Sequence, residues 1–197
     1  MAKYQIDSIQ HWEPFEHDGV SYSLSHLDVH EMTYKGTKQD YTFVVTYGLH
    51  CFAKEDTPYV ISVVYKDGRE NKTVCMERYE ASKHLRHILE NLPTLALFQT
   101  TVDKFFTLDM LNTFTRKYEP YKVCIAFYKE KRLLRMHILS AFFARTGPGA
   151  VGVKIPNKSV SLFKVAMDIA AKPRNANIPK EATNRKGMGQ NVKSGIE

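Results

Sequence analysis

The sequence predicts an α+β fold: an antiparallel β-sheet with one central amphipathic helix, a C-terminal helix and a disordered basic tail. Three observations carry this. Runs rich in β-branched and aromatic residues recur at 41–53, 59–65, 121–128 and 133–143, separated by polar turns. Between the second and third runs, Ala81, Leu85, Ile88, Leu89 and Leu92 fall on one helical face. From Lys172 onward the chain has no aromatic residue and repeated glycine and proline. Residues 1–171 are therefore expected to form one domain and 172–197 the tail.

Each element has its local reason. Trp12 and Phe15 anchor an otherwise mixed N-terminal stretch, and 20–24 and 27–34 read as two short strands or one bent one. The 41–53 run is apolar at both side-chain parities, so it is expected to be central in the sheet. Pro58 opens the next strand, and the turn at 66–71 makes a hairpin with 72–76. Pro93 ends the helical stripe. The segment 95–114 is apolar but irregular, a short helix or a strand around 104–108. Gly147-Pro148-Gly149 breaks the chain after the last strand, and Ser159 is placed to cap a helix over 160–171.

Composition narrows the function classes. Apolar residues make up 43% and charged residues 25% of 197, ordinary values for a soluble globular chain. No apolar run approaches the ~18 residues of a membrane span, and the N-terminus lacks a signal-peptide core. Cys51, Cys75 and Cys124 are too few and too scattered for a disulfide framework or a zinc site, so a cytoplasmic setting is expected. Phosphate-loop, dinucleotide-binding, HExxH and GxSxG motifs are all absent. No cofactor or metal is called for.

The net charge of +7 suggests an anionic partner. The tail holds six basic and two acidic residues, and the segment 116–145 holds eight basic residues against Glu119 and Glu130. A basic stretch interleaved with Tyr121, Phe127, Tyr128, Phe142 and Phe143 points to nucleic acid. Arg116, Lys131, Arg132, Arg135 and His137 are its expected contact residues, joined by Arg86 from the central helix. The competing reading is a solvated hairpin rim with a solubilising tail.

Four constellations bear on chemistry. His26, Asp28 and His30 share one strand face if 27–34 is a regular strand, yet no further ligand cluster accompanies them. His50 ends the long 41–53 run and titrates near neutrality, which suits a general acid or base; Cys51 beside it points the other way in a regular strand. Arg78, Tyr79 and Ser82 open the helix, where a phosphate could dock. Arg135 and His137 share a face in the last strand, with Met136, Ile138, Ser140 and Phe142 on the other.

Three stretches, Gly48-Leu49-His50-Cys51-Phe52, Glu77-Arg78-Tyr79-Glu80-Ala81-Ser82-Lys83 and Leu139-Ser140-Ala141-Phe142, together resemble a family of small uncharacterised bacterial proteins. That resemblance brings no activity with it. A helix before an antiparallel sheet carrying basic and hydroxyl residues is also similar to the metal-independent ribonucleases of the barnase, EndoU and colicin type. This second likeness implies 2′-hydroxyl attack to give a cyclic phosphate, although the strands before the helix depart from it.

The sequence thus leads to an RNA-binding protein acting as a metal-independent ribonuclease of bacterial toxin or phage-defence type. His50, Arg78 and Tyr79 would be catalytic, and RNA or a protein antitoxin or regulator the partner. The alternative is a non-enzymatic protein-interaction module that binds through a sheet edge and the flexible tail. A third class, a cysteine enzyme acting through Cys51, needs a bulge that turns Cys51 and His50 together.

Overall fold

The computed structural model describes residues 11–55, 57–67, 70–100, 103–155 and 158–173, and the backbone of 190–193. The chain opens with a small hairpin, β1 (Phe15–His17) and β2 (Val20–Tyr22), then a 3-10 turn at Ser25–Leu27. Next come β3 (His30–Tyr34), β4 (Tyr41–His50), β5 (Val60–Lys66) and β6 (Asn71–Cys75). Two short helices follow, α1 (Met76–Ser82) and α2 (Leu85–Glu90). The chain then runs through β7 (Leu97–Gln99), β8 (Lys104–Asn112), β9 (Lys117–Glu130) and β10 (Leu133–Phe143). The last elements are β11 (Ser159–Val160), α3 (Leu162–Ala170) and β12 (Gln190–Lys193). The protein is a mixed α+β fold, as the patterning predicts.

Seven strands form the main sheet in the order β11-β7-β8-β9-β10-β4-β3, and β12-β5-β6 form a second, smaller one. Every pairing in the main sheet is antiparallel except β4 with β10, which run parallel. β4 lies one strand in from the edge and is covered on its outer side by β3 alone. Its apolar residues on both faces are nonetheless buried, from Phe43 to Leu49. Phe43, Val45, Tyr47 and Leu49 enter the core with Met136 and Ile138 of β10, Val123 and Ile125 of β9, and the apolar side of α3.

The predicted single helix is two, broken at Lys83–His84. Leu85, Ile88 and Leu89 still pack on the core, so the stripe survives the break. The irregular 95–114 segment is strand, not helix: β7 and β8 pair as a hairpin arm. Ser161 rather than Ser159 caps α3, accepting a hydrogen bond from the Lys164 amide at 3.3 Å.

β10 departs from strict alternation. Its register against both β4 and β9 shifts between Ile138 and Ser140. The extra residue moves Ser140 onto the face shared with Cys124 and His50, and Ala141 and Phe143 take the core positions. The expectation of Ser140 and Phe142 on the apolar face is therefore corrected by one bulge. Gly48 sits opposite it: a Cβ there would lie 2.9 Å from the Leu139 carbonyl oxygen and 3.2 Å from that of Ile138.

The tail expected to be disordered lies mostly outside the described residues. Its four-residue β12 pairs antiparallel with β5, Gln190 opposite Lys66 and Lys193 opposite Val63.

Candidate functional site

The end of β4 does gather the residues that the sequence singles out, but in structural roles. Arg78 is buried to 5% exposure and donates from Nη1 to the His50 carbonyl at 2.7 Å, its guanidinium lying over the Phe142 ring at 4.9 Å. Tyr79 is also buried and donates its hydroxyl to the Ser23 carbonyl at 3.2 Å. Only His50 is open, its side chain 34% exposed and its Nε2 3.3 Å from a Glu70 carboxylate oxygen. Burial pushes its imidazole below the ordinary value; Glu70 opposes that shift and Arg78 adds to it. The expected phosphate clamp is thus an internal brace tying α1 to the end of β4. Cys51 follows in a turn and donates its thiol to the Ile138 carbonyl at 3.5 Å.

The expected nucleic-acid contacts disperse. Arg86 spends its guanidinium on the 3-10 turn, with Nε 2.8 Å from the His26 carbonyl and Nη2 3.2 Å and 3.0 Å from those of Ser25 and Asp28. Arg135 and His137 are buried in the sheet, Arg135 against Glu130 at 3.2 Å and His137 Nδ1 2.9 Å from the Thr46 hydroxyl. Arg116 and the Lys131–Arg132 pair occupy hairpin tips at opposite ends of the 14-residue β9, about 45 Å apart at strand spacing. A linear run of charge is therefore not one face. Arg132 does line an open cleft of about 510 Å³ with Asp40, Tyr41, Lys129 and Leu133, at the far end of β4 from His50.

His26, Asp28 and His30 also part company. His26 lies in the 3-10 turn, its Nε2 2.7 Å from the Ser82 hydroxyl, which itself donates to the Tyr79 carbonyl. Asp28 accepts from the Trp12 amide at 2.9 Å, and His30 stacks on Tyr47. Desolvation, helped by Lys83 and Arg86, lowers the His26 pKa to about 4. The unfolded chain then binds a proton near pH 6.5 that the folded chain refuses, so stability is full above pH 6.5 and falls as pH drops toward 4. Urea unfolding at pH 7 and pH 5 is expected to show this loss, and His26→Gln to reduce it.

The sequence reading missed the β8–β9 hairpin tip. Tyr118 is 74% exposed and stands opposite Leu111, also exposed. Phe114 packs on Tyr59 with ring centroids 4.7 Å apart, both rings reaching solvent. Arg116 and Lys117, both exposed, fall between Phe114 and Tyr118. The signal was present in Phe114-Thr115-Arg116-Lys117-Tyr118, which sets two basic residues between two aromatic ones.

This tip is braced. Asn112 Oδ1 accepts from the amides of Phe114 at 3.0 Å and Thr115 at 3.4 Å, while its Nδ2 donates to Glu77 at 2.8 Å and Glu119 at 3.2 Å. Thr115 donates its hydroxyl to Glu119 at 2.6 Å, which with the Asn112 bond and Arg145 holds that carboxyl below its usual range against desolvation. Arg145 also bonds the buried Glu77 of α1, and the pairing raises the guanidinium pKa. These bonds fix the backbone in a left-handed turn at Arg116, φ 57°.

The comparisons agree with the first of the two resemblances. The YjaZ family model matches residues 14–170. The chain belongs to the YjaZ family. Protein YjaZ of Escherichia coli (strain K12) is 28% identical over 183 residues, covering 87% of this chain and 96% of that protein. No solved structure matches. The YjaZ match spans the end of β4, both short helices and the braced hairpin alike. Among the described residues no helix is long and apolar enough to cross a membrane.

Proposed function

We propose that the protein binds single-stranded RNA at the β8–β9 hairpin tip. The observation that carries this is the exposed Phe114, Tyr118 and Tyr59 rings flanking Arg116 and Lys117 on a pre-braced turn. Unstacked bases are held by aromatic faces, and neighbouring cations neutralise the backbone phosphates. The hydrogen-bonded brace keeps the turn ordered before the ligand arrives, which lowers the cost of binding. The net charge of +7 favours encounter with a polyanion.

Cleavage is not part of this reading. A ribonuclease centred on His50 would need Arg78 and Tyr79 to abandon the carbonyls they now satisfy. RNA remains the proposed ligand, with the hairpin tip as its contact site.

Fluorescence anisotropy with a labelled 12-nucleotide oligouridine tests it. Tyr118→Ala is expected to weaken binding by about 1–3 kcal/mol, the usual worth of one stacked base. Arg116→Ala should lower the salt slope of log K by about one phosphate contact. Absence of binding at 50 mM salt, or equal binding by wild type and a Phe114→Ala/Tyr118→Ala variant, would overturn the assignment. Equal loss with a protein ligand would instead favour the interaction-module reading.

A further inference from the structure

The smaller sheet carries a feature that RNA binding leaves unused. β5 is paired on one side by β6 and on the other by β12, which returns from the far end of the chain. β5 reads Val-Ile-Ser-Val-Val-Tyr-Lys. Its Val63 and Tyr65 face the core; Val60, Ser62, Val64 and Lys66 alternate with them on the outer side. An edge of this composition has none of the usual protections: no proline, no inward charge, and one terminal lysine. Among the described residues, only the four-residue ladder of β12 pairs with it on that side.

We propose that β12 is a cap on the β5 edge, and that the uncapped edge pairs with β5 of a second copy of this chain. The sequence of β5 suits antiparallel self-pairing about a two-fold axis. Centred on Val63, such a pair sets Lys66 of each copy opposite Val60 of the other. The like charges then sit at opposite ends of the ladder, with Val63 opposite Val63 at its middle and Ser62 opposite Val64 on either side. In the capped state the groups of Val63–Lys66 are satisfied within one chain, by a strand whose loss costs little because it is short. The tail of this protein therefore acts as a built-in competitor for its own association surface.

Full-length variants test both halves. In an antiparallel edge strand alternate residues direct their amides to the partner, so one of Asn191→Pro and Val192→Pro must delete a ladder bond. The variant that does so is expected to exchange β5 amides at least about tenfold faster in dilute solution. It should also form a dimer that grows with concentration in light scattering, where wild type stays monomeric. Lys66→Cys/Gln190→Cys, placed at an observed register pair within disulfide reach, should oxidise within one chain and hold the protein monomeric. Rapid β5 exchange in wild type, or an intermolecular rather than intramolecular disulfide, would show that β12 is no cap. Proline variants with an opened edge that remain monomeric at millimolar concentration would overturn the self-pairing.

Discussion

Arg135→Met is expected to destabilise the protein by about 3–5 kcal/mol, the usual cost of stranding one partner of a buried ion pair. Arg135 is fully buried, and Glu130, 3.2 Å away, is 2% exposed. Removing the guanidinium takes the neutralising charge from a carboxylate that is 2% exposed. For a domain with ordinary stability of about 5–15 kcal/mol, that is a large fraction of the whole. The double substitution Arg135→Met/Glu130→Leu should recover most of the loss, because it removes both charges together. Urea unfolding measures the stability, and oligouridine anisotropy on the folded single variant measures the ligand. Stability should fall and affinity should hold. The opposite pattern would put Arg135 at the RNA after all.

Gly48→Ala should cost about 2–3 kcal/mol, by forcing an added methyl into a packed interior. The added Cβ meets backbone rather than the end of a flexible side chain: the carbonyl oxygens of Leu139 and Ile138, at 2.9 Å and 3.2 Å. Those carbonyls belong to the bulge that re-aims Ser140, so relief requires either flattening the bulge or pushing β4 away from β10. Flattening would turn Ala141 and Phe143 out of the core. The expected signature is a lower urea midpoint together with faster amide exchange in both strands. An alanine variant as stable as wild type would mean that this part of the sheet yields more than its packing implies.

Much of the fold was legible because it rests on periodicity. The long β4, the β5–β6 hairpin, β9, β10 and the apolar stripe of the helices all follow from residues that alternate or recur at helical spacing. The bulge in β10 was not legible, since one inserted residue changes no composition and only its neighbours Gly48 and Cys124 reveal it. Nor was the parallel pairing of β4 with β10, which no local pattern encodes. The site reading erred for a related reason. Arg78, Arg86 and Arg135 look like ligand contacts because arginine is usually exposed, yet each here satisfies carbonyls or a carboxylate inside the fold. At the hairpin tip the same residue type stays in solvent, at Arg116, while Arg145 takes the Glu77 and Glu119 carboxylates beneath the turn.

The parallel pair also sets a schedule for synthesis. Phe43 of β4 lies opposite Leu134 of β10, a separation of 91 residues. A ribosome adding about 5–20 residues per second leaves β4 without that neighbour for about 5–18 seconds after it emerges. β3 can shield one flank early, but the other flank of an aromatic, β-branched strand waits exposed in the nascent chain. Holdase chaperones recognise such stretches, so the yield of this protein should depend on translation speed and chaperone supply more steeply than its size alone suggests.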